Sequence, residues 1–117
     1  MSAWVLERLS DDEITKHPHV PEQDRRRARI LVVSWLVPGA AAMTIGSLVL
    51  VRRGREADRR LLAHELVHVR QWRELGIVGF LRPYLGAYLA GRRRGLGHQA
   101  AYQAIPLEAE ARRLAGR

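Results

Sequence analysis

The residues of this chain best suited to chemistry are two histidines four apart with a glutamate beside the first, His64-Glu65-x-x-His68. On a helix, positions i and i+4 share one face, so both imidazoles can reach one metal ion. Glu65 sits about 100° further round the helix, where its carboxylate addresses a metal-bound water rather than the ion. Zinc lowers the pKa of such a water, and a carboxylate that takes its proton completes the means to hydrolyse a peptide bond. The bland alternative is two histidines packed on a helix flank with Glu65 solvated.

A catalytic zinc needs a third protein ligand and an open position for water. After His68 the chain has no aspartate and no cysteine, which leaves Glu74, His98, Glu108 and Glu110. In one large class of zinc peptidases a glycine turns the chain between the second histidine and a third ligand. Gln71 occupies that place here, so the helix continues and carries Glu74 away from the metal. Glu108 and Glu110 belong to a later helix that can face the histidines across a cleft. Being two apart, they point to nearly opposite faces, so at most one is a ligand. His17 and His19 bracket Pro18 in a loop and have no ligand spacing.

The motif needs a helix to hold it. Glu56 and Asp58 suit its first turn, Leu62, Leu66 and Val69 form an apolar stripe, and Gly76 suits the position after its end near Leu75. Upstream, residues 30–51 carry no charge, and uncharged runs of about 18 or more are transmembrane candidates. Pro38-Gly39 interrupts this one, and arginines flank both ends. The soluble reading divides it. A helix opening at Pro21-Glu22-Gln23-Asp24 runs through to Val37 and stops at Pro38-Gly39. A hairpin follows, with Met43-Thr44-Ile45 and Leu48-Val49-Leu50-Val51 joined by Gly46-Ser47 as a type II′ turn.

At the start of the chain, Met1 to Leu9 suits a short amphipathic turn, and Ser10-Asp11-Asp12-Glu13 a capping box halted by Pro18. Further on, Pro83 starts or kinks a helix within 77–89. Gly91-Arg92-Arg93-Arg94-Gly95 reads as a solvated basic loop, and Pro106 opens a final helix with a Leu107, Ala111, Leu114 stripe.

Composition bounds the rest. With 117 residues the chain is one domain, an arm of residues 1–20 and a core of about 21–115. Its charge of +8 is nearly all arginine, since Lys16 is the only lysine. Those arginines are dispersed and aromatic residues are 6%, which suits a solvated surface better than a nucleic-acid interface. No secretory pattern opens the chain. A cytoplasmic location is expected, with membrane association through 30–51 as the alternative.

These features together resemble the small bacterial zincin-type metallopeptidase domains of the gluzincin kind. In those, a β-hairpin precedes the H-E-x-x-H helix and a later helix supplies a glutamate. Residues 42–50 resemble the hairpin, 61–71 the active-site helix, and Pro106-Leu107-Glu108-Ala109-Glu110-Ala111 the glutamate helix. The resemblance implies His64, His68 and Glu108 as Zn²⁺ ligands and Glu65 as general base. One position departs: many relatives have an aspartate four residues after the glutamate ligand to hold a zinc-bound histidine, and here it is Arg112. Either other residues give that support or zinc is held less tightly; alternatively Arg112 simply pairs with Glu108 as a surface ion pair, leaving no ligand there.

An oxyanion stabiliser is also required. Tyr102 and His98 are the first choices, with Tyr84 and Tyr88 in reserve. The expectation is an α+β minimal zincin, several helices with a short β-hairpin, hydrolysing a peptide or protein substrate. The alternatives are a zinc-binding structural or regulatory module without turnover, or a basic membrane-associated protein.

Overall fold

Aliphatic, β-branched runs build the sheet, and helices rich in arginine and leucine cover it. The computed structural model describes residues 6–37 and 39–116. In chain order the elements are β1 (Leu6–Arg8), α1 (Asp11–Thr15), α2 (Glu22–Arg27), β2 (Arg29–Val33), β3 (Ala42–Ile45), β4 (Leu48–Arg52), α3 (Arg59–Arg93), α4 (His98–Gln103) and α5 (Pro106–Leu114). The fold is α+β. The strands form one mixed sheet in the order β1-β2-β4-β3.

The expected hairpin is present, with Thr44 opposite Val49 and Ile45 opposite Leu48. Gly46 has φ 64° and Ser47 has no positive φ, so only the first turn position needs the left-handed region, as a II′ turn requires. The helix expected to run from Pro21 to Val37 is shorter. α2 ends at Arg27, Ala28 is already extended with ψ 138°, and the chain enters β2. That strand lies parallel to β4, Ile30 opposite Val49, and antiparallel to β1, Leu6 opposite Leu31. Pairing on both sides is what draws Ile30 to Val33 out of a helix, since β-branched residues fit a pleated, half-buried surface. The 30–51 run is therefore three strands and their connections. Among the described residues no helix is long and apolar enough to cross a membrane.

The N-terminal segment is a strand at Leu6–Arg8 where a helical turn was expected. The earlier part of that turn, Met1 to Val5, and the expected stop at Pro38 lie outside the described residues. Ser10 caps α1 by accepting from the Glu13 amide at 3.1 Å. Leu9, Ile14 and Val20 join the core.

Asp58 caps α3 by accepting from the Leu61 amide at 3.0 Å. Gly76 breaks α3 with φ 75° and ψ 176°, a conformation open to glycine and strained for any other residue. The two helical halves, 59–75 and 77–93, change direction there. Pro83 lies inside the second half, whose helical geometry continues through it. The basic loop expected around Arg92 to Arg94 is instead the last turn and cap of this helix. Gly91 has a packing reason: a Cβ there would stand 3.1 Å from the Cβ of Ala101, so glycine lets α4 approach closely.

Val49 and Val51 of β4 pack on Leu66, Val67 and Val69 of α3, with Ala111 of α5 in the same cluster. An ion pair with its acidic end buried and its basic end partly exposed ties α2 to this core. Asp24 is fully buried and accepts from Arg73 Nε at 2.6 Å and Nη2 at 2.8 Å. Removing one partner of such a pair leaves the other uncompensated. Asp24→Ala is expected to lower the thermal midpoint by roughly 5–10 °C. Arg26→Ala, which breaks an exposed pair with Glu22, should shift it by about 2 °C at most. Melting followed by circular dichroism checks both, and equal shifts would remove the Asp24–Arg73 pair from the account of stability.

Candidate metal centre

The first half of α3 places His64 and His68 one turn apart, their ring centroids 5.0 Å from each other. Glu108 comes from the first turn of α5, where Pro106 begins the helix and the free backbone amides favour a carboxylate. It reaches between the imidazoles. Its Oε1 is 2.8 Å from His64 Nε2 and its Oε2 is 3.1 Å from His68 Nε2. One ligand atom from each of the three residues lies within 4.8 Å of the others, so the cluster could hold a metal ion.

The donor set passes a test of fit. His68 Nε2 is buried and, despite lying 3.1 Å from Glu108, has no aligned hydrogen-bond partner. An orphaned buried nitrogen aimed at a carboxylate is what a cation between them would satisfy. His68 and Glu108 are 4% and 2% exposed. Burial pushes the Glu108 carboxyl up, but hydrogen bonds from His64 and Tyr84 and the nearby charge of His68 outweigh it and hold the group far below the usual carboxylate range. For His68, burial opposes the charged form, and Glu108 reverses the balance and raises its pKa.

Glu65 is 4% exposed and its Oε1 accepts from Thr44 Oγ1 at 2.7 Å. Thr44 belongs to β3, the edge strand, which is fixed to α3 a second time where Trp72 Nε1 donates to the Thr44 carbonyl at 3.1 Å. Trp72 stacks on Phe80 at 4.2 Å and Phe80 on Tyr84 at 5.3 Å. This column spans the Gly76 break and delivers Tyr84, whose hydroxyl donates to Glu108 Oε2 at 2.5 Å. Burial first, then the charge of Glu108, pushes the Tyr84 and Tyr102 phenols far up, so both stay protonated donors.

The other residues singled out in the sequence fall elsewhere. His98 Nδ1 meets the Tyr88 hydroxyl at 2.9 Å on the exposed end of α4, and among the described residues no contact joins it to the triad. Glu74 is exposed and pairs with Arg70 at 3.5 Å. Glu110 accepts from Gln71 and Arg70. Arg112 donates to the Gln103 carbonyl at 2.7 Å rather than pairing with Glu108. His17 bonds Glu13 and His19 bonds the Ala63 carbonyl. Sequence reasoning missed Thr44 and gave Gln71 only the role of continuing the helix. Its spacing carried a signal, because i+3 from His68 and i+7 from His64 share the ligand face.

Residues 36–76 match the family model described as the eCIS core domain, about a third of the chain. The matched stretch spans the β3–β4 hairpin and the first half of α3 with both histidines and Glu65. No curated protein and no solved structure matches the chain.

Proposed function

We propose that the chain is a zinc-dependent peptidase. The observation that carries this reading is the convergence of His64, His68 and Glu108 within 4.8 Å, with Glu65 buried one residue from the first ligand. His64, His68 and Glu108 would hold zinc, which when bound acts as a Lewis acid on the scissile carbonyl and makes water a nucleophile near neutral pH. Glu65 takes the proton from the attacking water and returns it to the leaving amine. Thr44 Oγ1, donating to Glu65 Oε1, restricts the orientation of that carboxylate. Tyr84 and Tyr102, kept protonated beside Glu108, are the available donors to the developing oxyanion. β3 ends the sheet in the order β1-β2-β4-β3. Its outer edge suits an extended peptide, which would add as a further strand alongside Thr44.

A metal-binding module without turnover is the second reading, favoured by how deeply Glu108 and His68 are buried. Metal content by elemental mass spectrometry, with cleavage of an unfolded protein substrate assayed before and after chelation, separates the two. About one zinc per chain and chelator-sensitive cleavage is the result expected. One zinc without cleavage selects the second reading, and no zinc after add-back sinks both.

A further inference from the structure

Gln71 is 2% exposed and its amide orientation is set by its surroundings. Nε2 lies 3.1 Å from the Leu107 carbonyl oxygen and 2.7 Å from Glu110 Oε1. Both of those atoms only accept, so the NH₂ group must face them. The amide oxygen is then turned the other way, 2.7 Å from His68 Nδ1. A carbonyl oxygen cannot donate, so Nδ1 carries the hydrogen. In the neutral imidazole the lone pair therefore resides on Nε2, the atom that faces Glu108.

We infer that Gln71, anchored by Glu110, is a positioning residue that locks His68 in the Nδ1–H tautomer and so aims its Nε2 lone pair at the metal position. The use of that lone pair rests on the zinc reading above. Glu110 is itself fixed by Arg70 Nη2 at 3.1 Å, so the relay runs Arg70, Glu110, Gln71, His68. It performs the task that a carboxylate four residues after Glu108 would perform, at the position where Arg112 stands. The chemistry differs in one respect. A neutral amide separates the carboxylate from the imidazole, so the ring is oriented without a charge placed against it, and the atom that accepts from Nδ1 is not a base that could remove its proton.

The relay does a second thing. Gln71 also bonds the carbonyl of Leu107, the residue before Glu108. One side chain thus sets the ring of one ligand and the backbone beside another, on helices far apart in the chain. Glu110, the second acid of the final helix, orients the ligand set from behind.

The test is long-range proton–nitrogen NMR of the histidine rings, in zinc-loaded protein and in zinc-free protein at a pH high enough to neutralise the imidazoles. Zinc affinity by chelator competition is measured alongside. Wild type should show His68 protonated at Nδ1 alone. Gln71→Ala should show mixed tautomers and about 10- to 100-fold weaker zinc binding. The exchanged pair Gln71→Glu with Glu110→Gln again places an acceptor against Nδ1 and a donor amide behind it. It should recover the single tautomer but only part of the affinity, because a carboxylate cannot donate to the Leu107 carbonyl; a general loss of packing would recover neither. A wild-type His68 protonated at Nε2, or a Gln71→Ala variant with the wild-type tautomer and affinity, would overturn the inference. A wild-type chain with the single Nδ1–H tautomer and no zinc uptake would bear out the tautomer lock and sink the zinc reading alone.

Discussion

Glu65→Gln is expected to lower peptide hydrolysis by about 10²- to 10⁴-fold while leaving zinc content at the wild-type level. The two halves of that result have separate causes. Glutamine keeps the volume of the side chain and an oxygen that can accept from Thr44 Oγ1, now 2.7 Å from Glu65 Oε1. The buried site therefore stays packed and hydrogen-bonded. What is lost is the ability to take a proton, because an amide oxygen is not a base near neutral pH. On the zinc reading the ligand atoms belong to His64, His68 and Glu108, none of which is altered. Single-turnover cleavage and elemental analysis on the same preparation check both halves. Full activity in the variant would take Glu65 out of the mechanism, and loss of zinc would mean that Glu65 holds the ion.

Glu108→Ala is expected to cost more zinc affinity than any change behind the ligands, exceeding the roughly 100-fold upper range for supporting residues. Glu110→Ala should fall within that range. On the zinc reading Glu108 is the one carboxylate among the three ligands and would supply the only negative charge they direct at the cation. Its removal also strands His68, whose pKa Glu108 raises, and frees the Tyr84 hydroxyl. Glu108→Gln retains the volume and an oxygen, and so separates loss of charge from loss of packing. It should still bind zinc far more weakly than wild type, with a wild-type circular dichroism spectrum. Chelator competition on all three variants gives the order, and a greater loss in Glu110→Ala than in Glu108→Ala would reassign the ligand.

The parts legible in the sequence were those fixed by local rules. Gly46 first in a two-residue turn specifies a hairpin, Gly76 a helix end, and Ser10 with Glu13 a cap, each through backbone chemistry confined to a few residues. The four-residue spacing of His64 and His68 set their shared face in the same way. What was not legible depended on distant partners. Ile30 to Val33 is apolar without a period that separates strand from helix, and only β1 and β4 on its two sides decide the matter.

Glu108 shows the same limit at the site. Spacing left it level with Glu110, and the packing of α5 turned one acid to the histidines and the other to Gln71. Thr44 was invisible because its partner Glu65 lies 21 residues away. Tyr84 ranked below Tyr102 because nothing local announces that the Gly76 break folds the second half of α3 back over Glu108.

His64 and Glu108 meet across 44 residues of chain, and on the zinc reading this spacing governs when the site is complete. On a ribosome, a nascent segment emerged only as far as Gly97 already contains both histidines and Glu65. It lacks the third donor, and the two imidazoles alone make a weak hold on any ion. On the peptidase reading, hydrolytic capacity arrives with the last elements, once α4 has settled against Gly91 and α5 has docked. On that reading the half-made chain would be spared an active protease in its own vicinity, and so would the machinery that makes it.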